Sequence, residues 1–214
     1  MEVTSVRRVR KRCLITLGSE TLHIPADVYD ERPLLPGDEI DPEEYDQWLL
    51  VRQFRPALNY AVSLLAQRPF AEKELEQRMR RIGYRPVTCE LVIYKLNKYH
   101  LLNDREFARQ WAASRVSRKL GPARIAQELR RKGVSPEDSV EALAALDGET
   151  VDGQALAVAR KGFATARPGE DPRKTAQRVT AMLVRRGFSF EQARQAIRQL
   201  REEAGDNDET GAEP

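Results

Sequence analysis

The stretch Leu129-Arg130-Arg131-Lys132-Gly133 decides the fold, because its pattern occurs three times in the chain. The other copies are Met79-Arg80-Arg81-Ile82-Gly83 and Leu183-Val184-Arg185-Arg186-Gly187, so the glycines are 50 and 54 residues apart. Counted from each glycine, apolar residues recur at positions −8, −4, +1, +10 and +13 in all three copies. This agreement predicts an internal structural repeat.

Each copy predicts a helix that ends at its glycine. Apolar residues at −8 and −4 lie on one helical stripe. Glycine readily adopts the left-handed conformation that ends a helix, and the apolar residue after it can pack back on the last turn. Each repeat therefore contains a helix with one buried face and a defined end.

Further helices flank each glycine-terminated helix. After the glycine, Ser135 precedes Pro136 in repeat two, and Ser189 and Gln192 form a capping box in repeat three. Asp104 is expected to be the N-cap of the helix that opens repeat two. The helices that open the repeats are predicted at residues 57–66, 104–116 and about 152–166.

The predicted fold class is mainly α. Three tandem three-helix repeats are expected to stack into an elongated curved array, because a unit of this size buries its apolar stripes poorly alone. A small β-hairpin and helix segment precedes the repeats, and an acidic tail, expected to be disordered, follows them. The predicted domains are residues 1–55, 56–102, 103–150, 151–200 and 201–214.

The N-terminal segment has its own signals. Residues 9–17 and 21–24 are rich in β-branched residues and predict a β-hairpin that turns at Gly18. Asp41 precedes a proline and two acids, which is typical of a helix start. This helix is predicted to run to about residue 54, before Pro56 opens the first helix of repeat one.

Positive charge is concentrated in the repeats. The whole chain has a net charge of +3, whereas residues 56–200 carry 27 basic and 16 acidic side chains, a net charge of +11. Such a surface attracts a polyanion or an acidic protein groove. A solvated helix face is the alternative interpretation of each basic run.

The sequence excludes several protein classes. No apolar run approaches the ~18 residues that a membrane span needs, and none fits a signal-peptide core. Two cysteines and two histidines argue against a zinc cage or a disulfide framework, and they favour the cytoplasm. No phosphate loop, nucleophile elbow or acid–base pair is present, so we predict no enzyme, no catalytic residue, no metal and no cofactor.

The basic residues are the best candidates for binding. Arg81, Arg131 and Arg185 recur two residues before the glycines, where they interact with the helix dipole or form a basic row that tracks phosphates. The predicted partner- and nucleic-acid-binding residues are Arg81, Arg115, Arg118, Lys119, Arg124, Arg130, Arg131, Lys132, Arg185 and Arg186.

Three stretches closely resemble the central signature of the RecX family. They are residues 101–108 (LLNDREFA), 119–125 (KLGPARI) and 128–133 (ELRRKG). Residues 68–75 look like another element of that family. Here Ala71 stands where a serine cap is usual, which is expected to weaken the helix start.

The resemblance implies a non-enzymatic regulator of the RecA recombinase. Members of the family bind within the groove of the RecA filament on single-stranded DNA and limit its growth, which lowers ATP hydrolysis, strand exchange and co-protease activity. Many also bind DNA directly. The implied partners are therefore the RecA filament and single-stranded or double-stranded DNA, without a membrane, for a monomeric cytoplasmic protein of recombination, repair and the SOS response.

Two alternatives stay open. The first is a sequence-specific DNA-binding regulator built from helix-turn-helix-like units. The third helix of repeat two is too acidic for a major groove, whereas four residues of repeat three could face bases: Arg194, Gln195, Arg198 and Gln199. The second is a scaffold of the tetratricopeptide kind, which the three-helix repeat disfavours.

Overall fold

Gly83, Gly133 and Gly187 end three equivalent helices in the computed structural model of the chain, which describes residues 1–167, 170–203 and 205. Their φ angles are 110°, 83° and 92°, all left-handed. The residue after each glycine donates its N–H to the carbonyl four residues before the glycine, as a Schellman cap requires. These bonds are Tyr84 to Met79 (3.3 Å), Val134 to Leu129 (3.2 Å) and Phe188 to Leu183 (3.2 Å). The predicted repeat is confirmed.

The first unit of the chain, Met1–Asp104, combines a small sheet with four helices. The antiparallel strands lie in the order β1 (Val3–Val9), β2 (Arg12–Leu17) and β3 (Glu20–Pro25). The helices are α1 (Ala26–Tyr29), α2 (Pro42–Leu65), α3 (Glu72–Ile82) and α4 (Pro86–Lys98). One core joins the sheet to α2, α3 and α4 and includes Ile15, Ile24, Leu49, Leu75 and Leu96.

The predicted hairpin was incomplete, because the strand expected over residues 9–17 is wrong at its start. The chain turns at Arg10 and Lys11, and residues 3–9 form the additional strand β1, paired with β2. Arg10 adopts a left-handed φ of 56°, a conformation that glycine or asparagine usually marks in a hairpin turn. Without such a residue, the sequence did not signal this turn, whereas the predicted turn at Gly18 (φ 59°) is confirmed.

Pro56 lies inside α2, so the helix end predicted near residue 54 is wrong and α2 crosses the predicted boundary between residues 55 and 56. Proline removes one backbone donor from the helix interior. One face of α2 is buried both before and after the proline, at Leu49, Gln53, Ala57 and Ala61. Their burial stabilises a continuous helix despite the missing bond.

Asp104 compensates for the missing serine cap at the start of α3. Ala71 precedes α3 and makes no side-chain cap. Asp104 Oδ1, 32 residues away, instead accepts the backbone N–H of Glu72 at 2.9 Å. The departure from the family pattern at Ala71 is therefore offset by a carboxylate from the next repeat.

The second unit, Arg105–Pro214, contains repeats two and three. Repeat two is formed by α5 (Asp104–Ser117), α6 (Pro122–Lys132) and α7 (Pro136–Ala144). Repeat three is formed by α8 (Gly148–Ala164), α9 (Pro172–Arg185) and α10 (Phe190–Glu203). The mainly α fold, with three-helix repeats after a small N-terminal β segment, is confirmed. The helix α10 includes residues 201–203, while residue 204 and residues 206–214 of the predicted disordered tail lie outside the described residues.

Repeats two and three meet through two glycines. The N–H of Gly121 donates to the carbonyl of Arg186 at 2.9 Å, and that of Ala123 donates to the carbonyl of Gly187 at 3.1 Å. A Cβ on Gly187 would lie 2.4 Å from the backbone nitrogen of Arg124. Only glycine allows this approach, which fixes the start of α6 against the turn between α9 and α10.

Within the described residues, no helix combines the length and the apolar character that a membrane crossing requires.

Candidate partner and nucleic-acid interface

Arg130 and Arg131 lie in the last turn of α6 and are exposed. The opposite side of α6 buries Ile125 and Leu129, which anchors the helix. Cations are favourable at a helix C-terminus because the macrodipole is negative there. Neither arginine forms an ion pair with a residue in the described ranges, so both charges face solvent.

Arg115 and Lys132, two other predicted binding residues, are engaged inside repeat two. Arg115 pairs with Glu128 at 2.7 Å, and its side chain is only 17% exposed. Its guanidinium lies 3.9 Å from the centre of the Trp111 ring, and the Lys132 ammonium lies 4.0 Å from the same centre. Because both cations contact this aromatic ring, they stabilise the packing of α5 on α6 and offer little free surface.

Three further predicted cations meet at the junction of repeats two and three. Arg186 Nη1 donates to the backbone carbonyl of Lys119 at 3.5 Å. Arg124 donates to Gln127 at 3.0 Å, and its backbone packs against Gly187. The junction thus brings together Lys119, Arg124 and Arg186. The guanidinium groups of Arg124 and Arg186 already have hydrogen-bond partners within the protein.

Of the predicted residues in the second unit, five remain available to a partner and are called the exposed basic set. Its members are exposed and form no ion pair with any residue that the structure describes. They are Arg118, Lys119, Arg130, Arg131 and Arg185. The tenth predicted residue, Arg81, is exposed at the end of α3 in the first unit, where its carbonyl accepts from Arg12 at 3.0 Å.

The third helix of repeat two, α7, is acidic and is tied to α5. Glu141 accepts from Arg105 Nε at 2.8 Å and also pairs with Arg109. The hydrogen bond from Arg105 is the main cause that holds the pKa of Glu141 below its usual value. The Glu141 carboxylate therefore remains ionised and is bound by two arginines of α5.

A groove between α9 and α10 is a feature that the predicted residue set missed, apart from Arg185. It has a volume of about 1360 Å³. Phe190 stands at its edge with 65% of the residue exposed. Its polar lining comprises Gln177, Thr180, Arg185, Glu191, Arg194, Gln195, Arg198, Arg201 and Glu202, so four arginines face two carboxylates. The signal in the sequence is the spacing of Phe190, Arg194 and Arg198, which places an aromatic ring and two cations on one helical stripe.

Comparison with known proteins assigns all three repeats. Family models match residues 57–96 as the first three-helix domain of RecX, 103–143 as the second and 152–197 as the third. Together they cover more than half of the chain.

Individual relatives agree. The "Regulatory protein RecX" of Chromohalobacter salexigens is 37% identical over 137 residues, 64% of this chain and 88% of the relative. The protein of the same name from Halorhodospira halophila is 38% identical over 136 residues, 64% of this chain and 83% of the relative. A crystal structure of a regulatory protein RecX shares the fold, with a TM-score of 0.64 at 22% identity, over 92% of this chain and 98% of that one. The chain belongs to the RecX family of regulatory proteins.

Proposed function

We propose that this protein binds the RecA filament on single-stranded DNA and limits its extension. RecA's ATP hydrolysis, strand exchange and co-protease activity fall as a consequence. The observation that carries this proposal is membership in a family of regulatory proteins, through three successive domain matches. The protein acts by binding, as a cytoplasmic monomer, and catalyses no reaction.

The exposed basic set (Arg118, Lys119, Arg130, Arg131 and Arg185) supports a mechanism of docking by charge. Since these side chains have no ion-pair partner among the described residues, binding to an acidic groove or to phosphates breaks no internal pair. The Schellman cap at Gly133 and the junction at Gly187 hold the ends of their helices in place. A cation held on such a support loses less conformational freedom on binding than one on a loop. Docking there obstructs the addition of the next filament subunit.

Direct DNA binding is the second part of the proposal. Contacts to phosphates are independent of sequence. For single strands, each contact adds about −0.7 to the slope of a plot of log K against the logarithm of the salt concentration. The alternative is a protein that recognises a specific DNA sequence. It is favoured only by four exposed residues of α10: Arg194, Gln195, Arg198 and Gln199. Affinities for random and defined duplexes separate the two, because a sequence reader prefers its site by roughly 10³-fold or more.

Titration of RecA ATPase activity on single-stranded DNA tests the proposed function. We expect ATP hydrolysis to fall as this protein is added, and to fall further when it is added before filament assembly than after it. The order of addition matters because obstruction of subunit addition acts only while the filament grows. An unchanged rate in both orders, with a protein whose circular dichroism shows intact helices, contradicts the proposal.

A further inference from the structure

We propose that the groove between α9 and α10 binds a single strand of DNA, with Phe190 stacked on a base and Arg185, Arg194 and Arg198 contacting phosphates. This inference rests on the second part of the proposed function, direct DNA binding, and assigns that binding to a site. The groove does not include Arg130 and Arg131 of α6. Only Arg185 belongs both to the groove and to the exposed basic set.

Phe190 is held in solvent on a rigid support. Its neighbour Ser189 accepts the backbone N–H of Gln192 at 3.0 Å, and Gln192 Oε1 accepts the N–H of Ser189 at 3.0 Å. This capping box fixes the first turn of α10. Among the described residues from Arg105 onward, Phe190 is the only exposed aromatic side chain. An exposed ring beside a basic groove is the arrangement that single-strand-binding proteins use to stack bases.

The cations of the groove are arranged beside the ring. Arg194 and Arg198 follow Phe190 at intervals of four residues on α10, and Arg185 lies across the groove at the end of α9. Arg194 pairs with Glu191 at 2.7 Å and Arg198 with Glu202 at 3.8 Å, with both arginine side chains 74% exposed. Exposed ion pairs of this kind are worth about 0–1 kcal/mol. A phosphate can therefore replace either carboxylate at little cost.

The rest of the lining suits nucleotides better than a peptide. Gln177, Thr180 and Gln195 supply amide and hydroxyl groups that hydrogen-bond with base edges. The apolar part consists of Ala176, Ala181, Val184, Ile197 and the Phe190 ring. An amphipathic helix binds by inserting large apolar side chains into a groove, whereas the four arginines of this lining favour a phosphate backbone. The volume of about 1360 Å³ also exceeds that of an ordinary small-molecule pocket and leaves room for several nucleotides.

Binding of a fluorescein-labelled oligo-dT to the full chain, measured by anisotropy without RecA, tests the proposal. We expect Phe190→Ala to raise the Kd about 10-fold or more, because a lost base–aromatic stack commonly has an effect of this size. Phe190→Trp should keep the affinity, and its fluorescence should be quenched on binding. Val140→Ala is the matched control, since Val140 is the other exposed large apolar side chain in the described part of this unit.

The phosphate contacts have their own readout. Arg198→Glu should weaken binding and make the slope of log K against log salt concentration shallower by about 0.7 or more. Phe190→Ala should leave that slope unchanged, since stacking releases no counterion.

Two results would overturn the inference. One is an unchanged Kd for oligo-dT in both Phe190→Ala and Arg198→Glu. The other is an unchanged Kd in Phe190→Ala together with a lost inhibition of RecA, which would make the groove a protein-docking surface. Inhibition of RecA by the wild-type protein is measured separately, so the proposed action on RecA and this inference can fail independently.

Discussion

At the scale of single residues, Asp104 stabilises a helix that belongs to another repeat. Its carboxylate accepts the N–H of Glu72 at 2.9 Å because Ala71 has no side chain that can do so. We expect Asp104→Ala to lower the free energy of unfolding by about 1 kcal/mol, the usual value for a lost N-cap. Urea denaturation measures this loss. Ala71→Ser in the Asp104→Ala background should recover part of it, and an equal stability of wild type and Asp104→Ala would contradict the assignment.

Arg115 and Arg118 are three residues apart, yet the structure gives them different roles. Arg115 is engaged by Glu128 and Trp111, whereas Arg118 is exposed. We expect Arg115→Ala to lower the unfolding free energy by about 2 kcal/mol, because it removes a charged hydrogen bond from a half-buried site. Arg118→Ala should change it by less than about 0.5 kcal/mol. Thermal melts of the two variants compare them directly, and equal melting temperatures would refute the distinction.

Both cysteine thiols are buried in the first unit. Burial raises the pKa of Cys13 and raises that of Cys89 to about 12, so the reactive thiolate is scarce at neutral pH. We expect the folded protein to react slowly with Ellman's reagent and to release two equivalents in guanidinium chloride, since the chain has two cysteines. Rapid native-state labelling at pH 7.5 would show that one of the thiols is accessible.

At the scale of elements, the turn between α9 and α10 depends on Gly187. Its φ is 92°, and a Cβ there would lie 2.4 Å from the nitrogen of Arg124. We expect Gly187→Ala to lower the unfolding free energy by about 3 kcal/mol, through backbone strain together with the clash.

Gly37→Ala is the matched control for this turn. Gly37 has a φ of 96°, but a Cβ on it would meet no atom within 4 Å. Gly37→Ala therefore introduces only the backbone strain of a left-handed φ, which should lower the free energy of unfolding by about 1 kcal/mol. Equal losses in the two variants would show that the contact between repeats two and three is not tight.

Elements with local end signals were predictable, and those without them were not. Asp41 and Ser135 cap their helices as predicted, since their oxygens accept the N–H of Glu43 and Asp138 at 2.9 and 3.0 Å. The turn at Arg10 has no glycine or asparagine to mark it, and the continuation of α2 through Pro56 depends on side chains buried on both sides of the proline. A local sequence pattern therefore predicts neither feature.

The sequence predicted that the candidate site has an excess of positive charge. It did not predict which of the basic side chains are exposed and unpaired. Basic residues on α5 and α6 are close in sequence, so their spacing alone did not separate Arg115, held on Trp111, from Arg118 in solvent. The exposure of Phe190 is likewise a property of the folded repeat. Sequence periodicity places it on a helix, and only the packing of α8, α9 and α10 leaves it uncovered.

At the scale of the whole molecule, the central claim is that exposed basic charge in repeat two inhibits RecA. The most direct test compares RecA ATPase inhibition by Arg130→Glu/Arg131→Glu with inhibition by Arg7→Glu/Arg55→Glu. Both pairs are exposed and change the net charge equally, but Arg7 and Arg55 lie in the first unit, outside the predicted binding residues. We predict that the first variant loses at least 10-fold in inhibitory potency at unchanged helicity, while the second retains it. Equal inhibition by both folded variants would contradict the account.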